Sequence, residues 1–245
     1  MKQIYIILIL LIALLIFYYF QFNQKENFNN INDNIDFYVI TLKNPDRIEN
    51  INLQNKKLNA NIIMTDAVNG LFLNQNELLQ SGELSAIFYN NELKRSKEIG
   101  CYKSHLNIYN LINNNPNKKK YSIVLEDDFN IIHENNFVEK MENLITNLND
   151  LDFDIIFLGN TFDNHSDVIL KDNIYNIDKN KFTIGTFAYI VNNKNINKII
   201  ELTKIIESPI DNKLDTLIKN NKINAYVVYP NLINYLVESK SGIDN

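Results

Sequence analysis

The sequence predicts an α/β fold with a largely parallel sheet, and three observations support this prediction. Short apolar runs that suit strands alternate with stretches of helical periodicity. With 45% hydrophobic residues, the chain has the composition of a globular protein. The clearest run, Tyr121–Leu125, ends abruptly in the three carboxylates Glu126, Asp127 and Asp128, as expected of a strand that is buried on both faces.

Each predicted element follows from its local pattern. Apolar runs predict strands, and apolar residues repeated every three or four positions predict helices. Pro45, in a turn at 43–47, separates the first strand from the helix that follows it. In chain order the predicted elements are strand 37–42, a helix beginning near Ile48, strand 61–64, helix and irregular loop within 72–97, helix 99–112, strand 121–125, helix 137–148, strands 154–158 and 187–191, helices 196–206 and 211–219, and strand 225–229.

An apolar N-terminal stretch, Ile4–Phe20, predicts a transmembrane helix. Its length of about 17 residues is at the short end of what spans a bilayer. Lys2 precedes it, so the positive-inside rule places the N-terminus in the cytoplasm. A cleavable signal peptide is the alternative, but Tyr18, Tyr19, Phe20 and Phe22, at the end of the stretch and just beyond it, stand where cleavage needs small residues. We therefore expect an uncleaved, single-pass signal anchor at 1–22.

The remaining chain predicts one anchored domain. Polar, asparagine-rich residues at 23–36 are typical of a tether, which leaves 37–245 for a single domain. The net charge is -5 and no basic stripe is present, which argues against nucleic acid as a partner. Cys101 is the single cysteine, so an internal disulfide is excluded.

The three carboxylates Glu126, Asp127 and Asp128 predict a cation site. Ligands of parallel sheets collect beyond the carboxyl ends of the strands, which is where this run places them. Adjacent carboxylates repel one another unless a cation lies between them, and oxygen ligands suit a hard divalent ion, Mn²⁺ or Mg²⁺. Three acidic residues also occur in solvated strand ends, so the prediction needs support from the rest of the chain.

Eight sequence blocks stand out along the chain. The most specific pair is E-I-G-C-Y-K-S-H (98–105) followed by V-L-E-D-D-F (124–129). The other blocks are V-I-T-L-K-N-P-D-R (39–47), D-A-V-N-G (66–70), F-D-I-I-F-L-G (153–159), G-T-F-A-Y-I-V (185–191), S-P-I-D (208–211) and V-V-Y-P (227–230). In sequence and in order, these blocks resemble glycosyltransferase family 25, the family of lipooligosaccharide galactosyltransferases and collagen galactosyltransferase domains.

The resemblance implies a GT-A fold, a Rossmann-like single domain that binds a nucleotide sugar and a divalent metal and transfers the sugar with inversion. By family analogy, the expected donor is a UDP-sugar, with UDP-galactose first, and the acceptor is a glycan or glycoprotein. The implied cofactor is Mn²⁺ or Mg²⁺. Such an enzyme would act in lipopolysaccharide or glycoprotein assembly, at a bacterial inner membrane or in a eukaryotic or viral secretory pathway.

Transfer from a nucleotide diphosphate requires stabilisation of the departing negative charge. A metal held by Glu126 and Asp128, the first and third residues of a D-x-D-like motif, can bridge the two phosphates. Asp127 either orients the ribose or fixes the loop. Inversion also requires a carboxylate base near the acceptor hydroxyl. Asp211 is the first candidate and Asp215 the second, although Asp211 can equally cap the helix that starts there.

Further residues are expected around the nucleotide. Arg47 can face its phosphates. Asp66 and Gly70 can shape its pocket, with Gly70 permitting a tight turn. In line with the family, Ser104 and His105 would line the donor or acceptor pocket or brace the E-D-D loop.

Several alternatives stay open at this point. Cys101 and His105, four residues apart on a predicted helix, admit a zinc site or a cysteine–histidine nucleophile, but two ligands do not make a zinc site. A membrane-tethered nucleotide-sugar hydrolase or pyrophosphorylase could use the same acidic site, and would release nucleotide equally well without an acceptor. A catalytically inactive glycan-binding module would need neither metal nor nucleotide.

Overall fold

The computed structural model describes residues 31–89, 92–132, 134–183 and 185–236. The predicted anchor at 1–22 and the part of the predicted tether before residue 31 lie outside the described residues. Within the described ranges, no helix has the length and apolar character needed to cross a bilayer. The rest of the predicted tether is regular structure, because a short helix occupies Ile31–Asn34 and the first strand already begins at Ile35.

Strands and helices alternate along most of the chain. In order they are α1 (Ile31–Asn34), β1 (Ile35–Thr41), α2 (Pro45–Leu58), β2 (Ile62–Asp66), α3 (Gln75–Gln80), α4 (Leu93–Asn114), β3 (Tyr121–Glu126), β4 (Phe129–Ile131), α5 (Phe137–Leu148), β5 (Ile155–Phe157), β6 (His165–Lys171), β7 (Ile174–Ile177), β8 (Ala188–Asn192), α6 (Ile196–Thr203), α7 (Ile210–Lys219), β9 (Ala225–Val228) and β10 (Ile233–Tyr235).

Eight strands form one mixed sheet in the order β2-β1-β3-β8-β5-β9-β7-β6. β1 pairs in parallel with β2 and β3, and β5 pairs in parallel with β9. β8 runs antiparallel to both of its neighbours, as does β7. Six of these eight strands therefore point in one direction. The predicted α/β class is confirmed and the sheet is consistent with a Rossmann-like fold, but a reversed strand, β8, lies at its centre.

Helices cover both faces of this sheet. Alternate residues of a strand point to opposite faces. Phe37 and Val39 of β1 pack in the core that contains α2 and α5, whereas Tyr38 and Ile40 pack in the core that contains α4, α6 and α7. Because both faces are apolar, the central strands read as continuous apolar runs, which made them recognisable in the sequence.

Some elements differ from the prediction. Pro45 is the first residue of α2 rather than part of a turn, a position that its fixed φ suits. The hairpin of β6 and β7 was not predicted, because β6 is mostly exposed at the edge of the sheet and lacks a buried-strand pattern. A separate two-stranded sheet of β4 and β10 was also missed, since strands of 3 residues are too short to show periodicity.

Candidate functional site

The candidate site forms where β1, β3 and β8 meet at one edge of the sheet. β1 and β3 run in parallel and end side by side, with Ile40 opposite Glu126. β8 runs the other way, so the residues that precede it arrive at the same edge. The backbone carbonyl of Phe187 accepts a hydrogen bond from the backbone N–H of Glu126 at 3.0 Å. This reversal brings Thr186 beside the carboxylates.

Two clefts open at this edge, and Cys101, Glu126 and Asp128 line both of them. The first cleft, about 220 Å³, lies between the end of β1, the loop 67–71 and helix α4. The second cleft, about 460 Å³, lies between segment 185–187 and the start of α7. The three shared side chains form a wall between the clefts, so a group bound at the carboxylates is accessible from both sides.

Glu126 is held in place by polar contacts from two elements. Its Oε1 accepts a hydrogen bond of 2.9 Å from the Thr186 hydroxyl and lies 3.4 Å from Nε2 of His105. Burial by itself would raise the pKa of Glu126. The contacts with His105 and Thr186, helped by the charge of Arg47, outweigh this effect and lower the pKa below its usual value. Glu126 is therefore a carboxylate at neutral pH.

Asp127 and Asp128 share the guanidinium of Arg47. Its Nε lies 3.5 Å from Oδ1 of Asp127 and its Nη1 lies 3.5 Å from Oδ2 of Asp128. Burial raises the pKa of Asp127 despite hydrogen bonds from Thr41 and the Leu42 backbone. Burial, followed by the negative charge of Glu126, raises the pKa of Asp128 to about 7. One guanidinium thus does not neutralise the three carboxylates.

The residues at the E-D-D loop fit a divalent cation. Oδ1 of Asp128 is a buried acceptor with no hydrogen-bond partner among the described residues. A carboxylate oxygen that is neither solvated nor hydrogen-bonded is costly, and a metal ion would satisfy it. Glu126 and Asp128 both face the clefts, as the D-x-D-like interpretation requires. Asp127, between them, lines the first cleft only.

His105 belongs to a buried chain of polar rings. Its Nδ1 lies 2.7 Å from the hydroxyl of Tyr189, which lies 2.8 Å from the hydroxyl of Tyr109. All three residues are fully buried. This chain fixes the ring orientation of His105 and aims its Nε2 at the wall between the clefts. His105 was predicted as a site residue, but its tyrosine partners were not.

Ser104 and Gly70 shape the first cleft through backbone contacts. The Ser104 hydroxyl donates to the Gly100 carbonyl and accepts from the backbone N–H of Val68, both at 2.8 Å, so Ser104 braces the loop 67–71 against α4. Gly70 begins a tight 3₁₀ turn, Gly70–Phe72, as predicted, but its φ is not positive, so the turn itself does not require glycine. A Cβ on Gly70 would lie 1.8 Å from the carbonyl oxygen of Ser96. Gly70 is needed because the loop touches the helix there.

Two buried amides of α2 hold the far side of the E-D-D loop. Nδ2 of Asn50 donates to the backbone carbonyls of Asp127 and Phe129, each at 3.0 Å. Oε1 of Gln54 accepts from the backbone N–H of Ile131 at 3.1 Å. Neither amide was predicted as a site residue. A signal existed, because both lie on the buried face of α2 together with Ile51, where apolar residues are expected.

Asp211 lies in the second cleft, on the first turn of α7. It is not the cap of this helix, since Pro209 occupies that position and Asp211 accepts from the neighbouring backbone N–H of Asn212 at 2.8 Å. Burial raises the pKa of Asp211, and the charge of Glu126 raises it further. Its position in the second cleft and its raised pKa both suit a general base that acts next to the shared carboxylates.

Two predicted residues are not brought to the clefts. Asp215 is buried one turn further along α7, where its Oδ1 accepts from the backbone N–H of Thr183 at 2.9 Å and its Oδ2 pairs with Lys219 at 2.8 Å. Asp66 is exposed at the end of β2 and pairs with Lys43. Neither of them lines a cleft, and both are explained by these structural contacts.

Cys101 lines both clefts but is not suited to nucleophilic catalysis. Burial raises the pKa of its thiol well above the usual range, and the charges of Glu126, Asp211 and Asp128 raise it further. Without a bound metal ion the thiol therefore stays protonated, and the thiolate is the reactive form. The cysteine–histidine nucleophile considered from the sequence is not favoured.

Comparison with known proteins points to one family. The sequence model of glycosyltransferase family 25, described as an LPS biosynthesis protein, matches residues 34–214. The match contains the E-D-D loop, the helix with Ser104 and His105, and Asp211. No curated protein sequence matches the chain significantly.

Proposed function

Because the chain belongs to glycosyltransferase family 25, and is therefore a glycosyltransferase with a sugar donor and a glycan acceptor, we propose that it is a metal-dependent, inverting hexosyltransferase that uses a UDP-sugar. In this proposal the first cleft binds the donor and the second cleft binds the acceptor. The reacting atoms meet at the wall that the clefts share.

The lining of the first cleft supports its assignment to the donor. Arg47 and Lys97 are cationic side chains that face it, and the Glu126–Asp128 cation site lies at its end. Cationic groups beside a divalent ion suit the negative charge of a diphosphate. The apolar side chains of the loop 67–71 offer a surface for the nucleoside.

The lining of the second cleft supports its assignment to the acceptor. Phe187 and Tyr235 face it with their rings in contact, the centroids being 5.3 Å apart. Such a pair gives an apolar platform for the face of a sugar ring, while Thr161 and Thr186 can hydrogen-bond to its hydroxyl groups. Asp211 lies in the same cleft, within reach of a bound acceptor.

In the proposed reaction the acceptor hydroxyl gives its proton to Asp211 while its oxygen attacks the anomeric carbon of the donor. The bond between this carbon and the diphosphate oxygen breaks, and the nucleoside diphosphate leaves with the electron pair. A metal bound by Glu126 and Asp128 would neutralise the charge of the diphosphate. Arg47 supports the same charge through its position beside both aspartates. Attack opposite the leaving group inverts the anomeric configuration.

The observation that carries this proposal is the arrangement of the two clefts, with the carboxylates of Glu126 and Asp128 in their shared wall and Asp211, a carboxylate of raised pKa, in the second cleft. The test is calorimetry of the full-length chain with a panel of nucleotide sugars, in Mn²⁺ and then in EDTA. Metal-dependent binding of one UDP-sugar is expected. A folded protein that binds no donor in either condition would refute the proposal and favour a glycan-binding module.

Release of nucleotide distinguishes transfer from hydrolysis. A transferase should release UDP faster when a glycan acceptor is added, because the acceptor hydroxyl is the nucleophile. A hydrolase or pyrophosphorylase would release nucleotide at the same rate with and without the acceptor. The comparison uses the donor that calorimetry identifies.

We further propose UDP-galactose as the donor and a surface glycan, such as lipopolysaccharide, or a glycoprotein as the acceptor, on the resemblance to the family. The segment 1–22 would anchor the enzyme in a membrane with its N-terminus in the cytoplasm. This membrane would be a bacterial inner membrane or belong to a secretory pathway. Removal of 1–22 should release the protein from the membrane fraction. A deletion variant that still sediments with membranes would refute the anchor.

A further inference from the structure

We propose that Cys101, His105 and Glu126 bind one divalent transition-metal ion, of the Zn²⁺ type, in the wall between the two clefts. One ligand atom of each side chain lies within 4.8 Å of the other two. The proposed site shares Glu126 with the Glu126–Asp128 cation site, so the two are alternative positions for one ion, and it differs in adding sulfur and nitrogen ligands. It does not depend on the proposed transfer reaction, because it can be tested without donor or acceptor.

The ligands come from two elements of the fold. Cys101 and His105 lie four residues apart on α4 and so face the same side of the helix. The sequence alone did not identify a third ligand for this pair. Glu126 supplies it from the end of β3, where the reversed strand β8 and its Thr186 hold the carboxylate towards His105.

His105 is prepared for metal binding by its burial and by its hydrogen bond. Tyr189 holds Nδ1 at 2.7 Å, whereas Nε2 has no hydrogen-bond partner among the described residues. When Nδ1 carries the proton and donates it to Tyr189, Nε2 presents a lone pair to the site. Metal-binding histidines are commonly oriented by such a bond on the other ring nitrogen. In the metal-free protein Nε2 faces the Glu126 carboxylate at 3.4 Å without a hydrogen bond, so an ion between the two would satisfy both groups.

The separation of His105 and Glu126 fits a zinc ion better than a hydrogen bond. Nε2 and Oε1 lie 3.4 Å apart. A good N–H···O hydrogen bond is shorter, at about 2.9 Å. In a tetrahedral zinc site with bonds of about 2.0–2.1 Å, neighbouring N and O ligands are about 3.4 Å apart. In the same geometry a sulfur ligand lies about 3.6 Å from its neighbours. The sulfur of Cys101 lies within 4.8 Å of the other two ligand atoms, so it has to approach by about 1.2 Å at most. The thiol releases its proton to solvent when the ion binds.

The ligand set selects the kind of ion. Sulfur and imidazole nitrogen favour Zn²⁺ or Co²⁺, whereas Mg²⁺ and Mn²⁺ prefer oxygen. Asp128 and Asp211 line the second cleft close by and add negative charge that favours any cation. Three protein ligands leave the fourth tetrahedral position open to the clefts, where water or a substrate oxygen can bind.

The test is a Co²⁺ titration of the full-length chain in mild detergent, without nucleotide, followed by absorption spectroscopy. Cys101 is the single cysteine, so a thiolate-to-cobalt charge-transfer band reports on this site alone. We expect the band to saturate at one equivalent and to disappear when Zn²⁺, but not Mg²⁺, is added. Absence of the band in the unmodified chain would overturn the proposal.

Variants separate a built site from accidental binding. Cys101→Ser should lose the band, and His105→Gln should weaken Co²⁺ binding more than tenfold. Tyr189→Phe removes the bond to Nδ1, so it should keep the band with an affinity lower by about 10–100-fold. His165→Gln is the matched control, because this ring stacks on Tyr229 outside both clefts. Circular dichroism confirms that each variant is folded. Co²⁺ binding by the His105→Gln variant that equals binding by the unmodified chain would overturn the proposal.

Discussion

Asp128 should destabilise the metal-free protein at neutral and alkaline pH, so its replacement by asparagine should stabilise that form. Burial and the charge of Glu126 raise the pKa of Asp128 from 3.8 to about 7 on folding. The folded state therefore holds this proton more tightly than the unfolded state. The free energy of unfolding falls as pH rises from the unfolded pKa to the folded pKa, and above that it stays low. About 3 pKa units correspond to about 4 kcal/mol.

Urea unfolding in EDTA measures this effect directly. At about pH 8, Asp128→Asn should raise the free energy of unfolding by about 4 kcal/mol, and at about pH 4 the gain should shrink below about 1 kcal/mol. Asp66→Asn is the control, because Asp66 is exposed and its replacement should give no such pH-dependent gain. The reasoning is refuted if Asp128→Asn is no more stable than the unmodified chain at the higher pH. It is also refuted if the variant is stabilised by the same amount at both pH values. Mn²⁺ should stabilise only proteins that retain Asp128.

Three further substitutions test other parts of the site. Asp211→Asn should lower turnover by about 10²–10⁴-fold and leave donor affinity unchanged. In the unmodified enzyme the pKa of Asp211 is raised, so turnover should begin to fall, as pH is lowered, at a higher pH than an ordinary aspartate would give. Gly70→Ala should cost more than about 2 kcal/mol of unfolding free energy, because the new methyl group meets the Ser96 carbonyl. Asn50→Ala should cost about 2–4 kcal/mol, since it leaves the carbonyls of Asp127 and Phe129 without their donor.

Neighbouring residues supply the controls. Asp215→Asn should reduce stability with little direct effect on turnover, since its carboxylate bonds to Thr183 and Lys219. A loss of turnover in this variant alone would move the base from Asp211 to Asp215. Asn52→Ala, on the exposed side of α2, should leave stability nearly unchanged. If Gly70→Ala also leaves the free energy of unfolding nearly unchanged, the close contact between the loop 67–71 and α4 is contradicted.

The strands that reach the site were predictable because burial on both faces leaves an uninterrupted apolar run. Tyr121–Leu125 and the carboxylates after it are the clearest case, and Glu126 and Asp128 line both clefts in the structure. The direction of β8 was not predictable, because a buried apolar strand has the same sequence pattern whether it runs parallel or antiparallel to its neighbours. Thr186, which precedes β8 and whose hydroxyl donates to Glu126, therefore could not be identified from the sequence as its partner.

The predictions that failed depended on side-chain direction at the ends of elements. Asp66 ends a strand at the correct edge, yet it points to solvent and pairs with Lys43. Asp211 and Asp215 share one face of a helix, and only packing decides that the first reaches the cleft while the second is buried. For the same reason, the sequence could pair Cys101 with His105 but could not supply Glu126 as their neighbour.

The linings of the two clefts come mainly from two successive parts of the sequence. The lining of the first cleft comes from residues 40–105, that of the second comes largely from residues 161–235, and the carboxylates of the E-D-D loop stand between these parts. With the proposed assignment of the first cleft to the donor and the second to the acceptor, substitutions in the later part should alter acceptor binding while the donor cleft keeps its shape. An exchange of this part between related enzymes would transfer acceptor choice as a unit. The family match ends at residue 214 and so leaves out Tyr235, whose ring packs against Phe187 in the second cleft.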